Sequence, residues 1–550
     1  MNERKAIYVT TPIYYVNDRP HIGHVYTTTV CDAYARFMRM CGEDVFFLTG
    51  TDEHGQKVEK SAAAKGVTPQ QLADENSAEF EKTLRKFGLS NDDFIRTTDP
   101  EHMKQVQAYV RTLKSSGAVY LGEFEGWYDE GQEEYYTETK AKDLGYKSPV
   151  SARPLVKAKE KNYYFKLSAF QGKLEELFKA RPDFVRPEAR RNEVLGRLKE
   201  GLQDVPVSRT NFRWGVEMPD DPEHVIYVWI DALFNYITAL GLVKGSGCAG
   251  KNGKGAGDSR RKYWPAKYHV MGKEILWFHA VIWPALLMAL ELDLPECVYA
   301  HSFWIRDGQK MSKSLGNFLD LEAITGFLDR YGLDAWRYYM VTQGPLGAQD
   351  ANFSDTHFHE VYTTDLVNTV GNCASRVTAM IGKYFDGVVP GDAGAGPRND
   401  WNAIATEHVK RAKEAYEELE LSHAVSEGLA LLRKVDAYIN ETEPFKVAKA
   451  AATDAGAKAK LASILYQCVE CVRVASLILG PVMPEKMMAL WKALNVGDVS
   501  GTNAGAVNAR EAKGVLELAK WGGMKAGTKV EKVALFPRVE VVKAEQASVT

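Results

Sequence analysis

The chain has 550 residues, seven cysteines and a formal charge of −3, a length that exceeds one ordinary core and predicts two to four domains. Near-balanced charge offers no global attraction to nucleic acid, so a nucleic-acid partner would need local basic patches. The composition is that of a soluble globular protein, without a run of ~20 apolar residues to span a bilayer. The N-terminal MNERKAIYVTT has neither an apolar signal core nor an Arg/Ser-rich presequence, which predicts a cytoplasmic protein with no membrane partner. The odd, dispersed cysteines predict free thiols in a reducing compartment.

In chain order, KAIYVTT reads as a buried strand, and Pro20 suits the first turn of a following helix because it lacks the N–H that would be orphaned there. HVYTTTVCDAYARFMRMCG has helical apolar spacing and stops at Gly42; DVFFLTG is a second strand, and VEKSAAAKG a second helix after TDEHG. Strand–helix alternation of this kind predicts an α/β, Rossmann-like doubly wound parallel sheet. Its ligands would bind at the carboxyl ends of the strands, where His21, His24, Asp52 and His54 fall. Residues 1–114 form the first half of this catalytic domain. Aromatic and charged residues with short β-like runs mark an insertion over 115–215. Strand and helix resume over 216–350, in HVIYVWIDALFNYITAL and KYHVMGKEILWFHAVIWPALLMAL, interrupted by a Gly/Lys-rich stretch, 244–262, read as a mobile surface loop. From 351 to 540 amphipathic helices dominate, predicting an all-α helical bundle, and 541–550 is a polar tail. No internal repeat is visible.

Two segments carry chemistry. HIGH, His21–His24, stands where a strand hands over to a helix: a helix N-terminus attracts phosphate, Gly23 allows close approach of a nucleotide, and neutral imidazoles donate hydrogen bonds without a permanent charge. KMSKS, Lys310–Ser314, lies in a Gly-containing stretch, DGQKMSKSLGN, that reads as a flexible loop directing two lysines at a polyanion. Either segment alone is weak evidence, the first read as a helix start with incidental histidines and the second as a solvated basic loop. Together, in this order and separated by most of an α/β domain, they form a strong pair.

The pair resembles the two signatures of the class I aminoacyl-tRNA synthetases. The resemblance implies attack of an amino-acid carboxylate on the α-phosphate of ATP, followed by transfer of the acyl group to the 3′ end of tRNA. Positioned donors and cations suit the charge that builds up on phosphorus and on the departing pyrophosphate. His21, His24, Lys310 and Lys313 are the implied catalytic residues. Gly23, Gly272, Lys273, Glu274 and Ser312 join them around ATP and its Mg²⁺.

Further wording, TPIYYVNDRPHIGH, FFLTGTDEHGQKV, VIYVWIDALFNYI, HVMGKEILWFHAVIWPA and KMSKSLGN, is similar to the methionyl-tRNA synthetases over nearly the whole chain. A flexible, polarizable thioether calls for an aromatic-rich pocket. The resemblance implies that Ile13, Tyr15, Trp229, Ala232, Leu233, Tyr236, Phe278, His279 and Trp283 line it. It further implies that Asp52 holds the ammonium and that Tyr236 and His279 place a weak polar contact on sulfur. Read without the family, Trp229 and Trp283 are buried core residues. Enzymes for other bulky aliphatic acids carry large editing insertions, because one methylene is discriminated by only ~1–3 kcal/mol; residues 115–215 are too few for one.

In many relatives the insertion holds zinc on paired Cys-x-x-Cys. Here Asp129, Gln132, Ser148 and Ser151 stand at the matching places, which predicts no structural zinc. The one Cys-x-x-Cys, Cys468–Cys471, lies in an apolar helical run and reads as core. In the tail Asn368, Asn372 and Arg376 recur at i, i+4, i+8 on one helix face, and the resemblance implies that they read a CAU anticodon with Phe445, which replaces the usual Trp. Basic stretches such as RPEARRNEVLGRLK supply charge for tRNA, and the chain is expected to be a monomer. The rival readings are a synthetase for another apolar amino acid, a small nucleotidyltransferase with an HxGH phosphate site, and a non-catalytic RNA-binding relative.

Overall fold

The structure, a computed structural model, describes residues 5–17, 19–129, 134–136, 138–149, 151–242, 257–306, 308–311, 316–497 and 514–540. Six strands build the central sheet: β1 (Ala6–Tyr15), β2 (Asp44–Asp52), β3 (Asp93–Arg96), β4 (Val185–Arg186), β5 (Tyr268–Gly272) and β6 (Cys297–His301). Their order is β3-β2-β1-β5-β6-β4 and every pairing is parallel. The winding direction reverses between β1 and β5, which opens a crevice at their carboxyl ends. Alternation along β1 feeds two cores: Ile7 and Val9 face one side, Tyr8 the other.

Helix α1 (Ile22–Met40) follows β1. Pro20 lies before this helix rather than in its first turn, because the His21 side chain itself provides the N-cap. Helix α2 (Pro100–Ser115) leads into the insertion, a four-stranded antiparallel sheet around Val119–Asp129 and Val156–Phe165. Within the same stretch β4 returns to the edge of the central sheet. The strand expected in HVIYVWID is Asp221–Ile226, and it joins a small antiparallel sheet instead of the parallel one. Trp229 accordingly belongs to helix α3 (Val228–Thr238), not to a strand. Of the expected loop 244–262, residues up to 256 lie outside the described residues, whereas Gly257–Arg260 is a helical turn whose Arg260 pairs with Asp93 at 2.5 Å.

After β6 the chain makes a hairpin of β7 (Trp304–Arg306) and β8 (Gln309–Lys310), then helix α4 (Leu333–Gln343). The C-terminal helices include α5 (Asn372–Tyr384), α6 (Leu421–Thr442), α7 (Ala455–Leu479) and α8 (Pro484–Leu494). Contrary to the hydropathy reading, α7 is long and apolar enough to cross a membrane, but 94% of its apolar window is buried inside the bundle. Cys468 and Cys471 are core residues there. One continuous apolar core runs from α1 and one face of the sheet through α4 into the bundle. A buried ionic node crosses it: Arg337 of α4 donates to Asp32 of α1 at 2.6 Å and to the carbonyls of Pro481 and Val482, before α8, at 3.2 and 3.0 Å. Burial opposes ionisation of Asp32, but Arg36 and Arg337 outweigh it and hold the carboxyl well below its ordinary range.

Candidate active site

The crevice between β1 and β5 is a cavity of about 370 Å³. Its walls come from strand ends: Ile13 and Tyr15 from β1, Asp52 from β2, Gly272 from β5 and His301 from β6. Helix α3 adds Trp229, Ala232, Leu233 and Tyr236; His279 closes that end, while His21, Gly23, His24 and Glu274 line the other.

The HIGH segment is built by reciprocal capping. His21 Nδ1 accepts from the Gly23 N–H at 3.1 Å, and His24 Nδ1 accepts from the His21 N–H at 3.2 Å. A nitrogen that accepts carries no proton, so each neutral ring bears its hydrogen on Nε2 and is a donor there. The rings stack at 3.8 Å. Tyr14 and Phe80 enclose His24, and burial, with His21 beside it, lowers its pKa well below the ordinary value. Gly23 was expected to admit a nucleotide; a Cβ there would also meet the His21 ring at 3.0 Å. Gly272 has a comparable reason, since a Cβ would stand 2.3 Å from the Glu274 carboxylate. Protein crowding around that carboxylate raises its pKa, although solvent reaches it through the cavity mouth; Lys310 and Lys273 pull the other way.

The KMSKS segment is described only in part. Ser312 and Lys313 lie outside the described residues. Lys310 ends β8 and is not in the cavity wall, but its Nζ lies 5.7 Å from the ring of Phe303, which is. Lys273 flanks the same ring at 4.6 Å and pairs with Asp350, so it borders the cavity without lining it. Beyond the loop, Phe318 meets His21 edge-on at 5.5 Å. His21 and His24 thus line the crevice, and Lys310, the first residue of KMSKS, stands beside its Phe303 wall.

At the other end, the His279 Nδ1–H donates to the Ile275 carbonyl at 2.9 Å, and Nε2 receives the Tyr236 hydroxyl at 2.8 Å. Burial pulls His279 down to about 4, so it is neutral. The two residues expected on sulfur therefore grip each other. Two expected wall residues are displaced. Phe278 stacks on Trp229 at 4.1 Å from behind, and Trp283 is fully buried against Tyr236 and Trp264. Two causes combine: Pro284 cannot donate to Ala280, so that Phe278–Ile282 forms a π-turn instead of the expected plain helix, and the Tyr236 and Trp264 rings receive Trp283 behind the wall.

The sequence reading missed Tyr26, Thr27, Lys57 and the run His301–Trp304, all of which line the cavity. His301 stood at a strand end just before the lysine loop, and Tyr26 and Thr27 one turn after HIGH, which was signal enough. Thr27 Oγ1 lies 2.7 Å from His301 Nε2, and burial lowers His301 to about 4.

Away from the cavity, Asn368 and Asn372 are exposed, and Arg376 donates to Asn440 at 2.9 Å, five residues before Phe445, which is 45% exposed. In the insertion Ser148 Oγ accepts from the Ser151 N–H at 3.1 Å and Asp129 is buried; Gln132 lies outside the described residues. Hydroxyls and a carboxylate are a poor donor set for the thiolate-bound zinc of relatives. In the basic stretch offered to tRNA, Arg186 pairs with Glu418, Arg190 holds Ser302 and the Ala348 carbonyl, and Arg191 donates to the Phe178 carbonyl, whereas Arg197 and Lys199 are exposed.

A doubly wound sheet with HIGH at its switch point and Lys310 beside it is the arrangement of a class I aminoacyl-tRNA synthetase. The family model for tRNA synthetases class I (M) matches residues 7–378. Methionine–tRNA ligases of Halalkalibacterium halodurans and Bacillus subtilis are 41% and 39% identical to the chain, each covering 98% of it and matched over 79% and 78% of their own lengths. The methionyl-tRNA synthetase of Mycobacterium tuberculosis in complex with methionyl-adenylate superimposes with a TM-score of 0.85 at 35% identity, covering 97% of this chain and 100% of that one. The chain belongs to the methionine–tRNA ligase family.

Proposed function

We infer that this protein activates L-methionine with ATP and transfers it to tRNA(Met), and that both steps take place in the crevice between β1 and β5. The observation that carries the reading is convergence. Two neutral histidines with Nε2 donors and the Lys310 hairpin meet at one end of a cavity whose other end is apolar and aromatic. In this reading Asp52 takes the ammonium, and Ile13, Tyr15, Trp229, Ala232, Leu233, Tyr236 and His279 receive the thioether chain, with Phe278 and Trp283 supporting Trp229 and Tyr236 from behind. A carboxylate oxygen of methionine attacks the α-phosphorus, and the bond to the β,γ-diphosphate breaks. His21 and His24 donate to phosphate oxygens, Gly23, Gly272 and Glu274 border the nucleotide, and Lys273, Lys310, Ser312 and Lys313 neutralise the leaving diphosphate with its Mg²⁺. A terminal tRNA hydroxyl then attacks the acyl carbon and AMP leaves.

Asn368, Asn372, Arg376 and Phe445 read the CAU anticodon in this proposal, and the insertion works without zinc, since its donors are Asp129, Gln132, Ser148 and Ser151. A cytoplasmic monomer completes it. Methionine-dependent exchange of labelled pyrophosphate into ATP, measured without tRNA, tests the reading. Exchange with methionine, and charging that is lost when CAU is altered, is the expected result. Silence with methionine, or stronger exchange with another apolar acid, overturns it.

A further inference from the structure

One face of α3 carries Asp231, Asn235 and Thr238, spaced i, i+4, i+7; Asn235 also borders the cavity, whereas Asp231 and Thr238 do not. It meets His102 and Gln105 of α2, and all five side chains are buried. Both oxygens of Asp231 are engaged. Oδ2 accepts from His54 Nδ1–H at 2.7 Å and Oδ1 from His102 Nε2–H at 2.9 Å. The other nitrogen of His102 lies 2.8 Å from Thr238 Oγ1, and Gln105 donates to the Thr238 carbonyl at 3.3 Å. A single carboxylate thus ties together three elements remote in sequence. His54 stands two residues after Asp52, in the turn that leaves β2, and its turn is held from the far side by the Gly55 N–H donating to the Trp214 carbonyl at 3.0 Å.

None of Asp231, His54 and His102 lines the cavity. Burying a carboxylate costs its hydration, and apolar packing of equal volume would hold these elements together at least as well, so a role in fixing register is the use such a group best fits. The register fixed here is between the end of β2 and α3. On the reading above, those are the two elements that take opposite ends of the amino acid.

We propose that Asp231 is a positioning residue for amino-acid length: by gripping His54 it holds Asp52 at a set distance from the wall of Trp229, Ala232 and Tyr236. The inference rests on the proposed function, in which Asp52 receives the ammonium and that wall the thioether. Two rigidly spaced anchors measure the number of methylenes between them. A wall free to slide accommodates a longer or shorter chain at the expense of the matched one.

The test compares methionine with ethionine, one carbon longer, and S-methylcysteine, one shorter, in pyrophosphate exchange. Asp231→Asn keeps the shape but presents an N–H to one of the two histidines. It is expected to raise the KM for methionine about tenfold and to erode most of the ~10–200-fold preference that one methylene carries, with the KM for ATP and kcat within about twofold. His54→Asn, whose amide N–H can replace Nδ1–H, should retain selectivity, and His54→Leu should lose it. This second pair carries the test should Asp231→Asn fail to fold. Unchanged selectivity in Asp231→Asn or His54→Leu, with only thermal stability or kcat reduced, overturns the inference. Wild-type protein silent with methionine instead overturns the functional reading on which it rests.

Discussion

His21 illustrates how one side chain carries two duties through its two nitrogens. Nδ1 caps α1, and the ring's hydrogen is therefore on Nε2, the atom that the proposed function assigns to phosphate. The duties separate by substitution. His21→Asn keeps an acceptor for the cap but its shorter amide cannot place a donor where Nε2 stands, so pyrophosphate exchange should fall about ten- to hundredfold, as for a charge-assisted bond of ~1.5–3 kcal/mol, with the melting temperature unmoved. His21→Ala should show the same loss of rate and cost a further ~1 kcal/mol of stability, read by denaturant titration. The cap was not legible in the sequence, because histidine is not among the residues that usually end helices this way. His279 and His301 give a pH signature. Each is drawn down to about 4 from an ordinary 6.5 by burial, so the folded protein binds fewer protons than the unfolded chain between those values. Their stabilising contribution is whole above pH 6.5 and is lost as pH falls toward 4. Calorimetry should find a melting temperature that drops between pH 7 and 5, and a shallower drop in His301→Gln.

Helix α4 works as a strut. Arg337 grips Asp32 of the HIGH helix on one side and the turn before α8 on the other. Removing the guanidinium strands a buried carboxylate, and Arg337→Met should destabilise the protein by ~3–5 kcal/mol in denaturant unfolding. One turn earlier Asp334 accepts from the Lys486 N–H at 2.6 Å, leaving Oδ1 without a hydrogen-bond partner among the described residues. Burial raises its pKa to about 7. The folded state therefore holds this proton more tightly than the unfolded chain, and the stability it contributes is present at low pH and lost as pH rises through 7. Asp334→Asn should raise the melting temperature at pH 8, with the gain shrinking toward pH 5. Neither contact could be read from the sequence: Arg337 lies 305 residues from Asp32, and nothing local to either names the other. The π-turn at Phe278–Ile282 is a milder case. Pro284 announced that the helix would be irregular, but which residues would swing out of the cavity wall depended on the Trp264 and Tyr236 rings they met.

At the scale of the whole molecule, the sites proposed for activation and for anticodon recognition occupy different parts of the fold. The cavity lies at the sheet, and Asn368, Asn372, Arg376 and Phe445 lie on the helical bundle. Phe445→Ala should leave tRNA-independent pyrophosphate exchange at the wild-type rate. It should raise the KM for tRNA about ten- to hundredfold, the loss of one stacking platform worth ~1–3 kcal/mol. Equal losses in both assays would mean that the bundle supports the cavity structurally rather than reading RNA.

The sequence alone determined the doubly wound sheet, the HIGH segment at its carboxyl edge, most of the apolar and aromatic lining of the cavity and the missing thiolates, because each is written in local spacing or in literal motifs a few residues long. Only the tertiary structure decided which tautomer the histidines hold, that Trp283 and Phe278 stand behind the wall, that Trp229 opens a helix, and that Asp231 and Asp32 are ionic hubs. The two hubs depend on partners more than a hundred residues away, Asp231 on His54 and His102 and Asp32 on Arg337, while the tautomers and ring positions depend on nearer neighbours met in space. A side chain's proton, orientation and charge are set by what surrounds it in space, and periodicity along the chain carries no record of that.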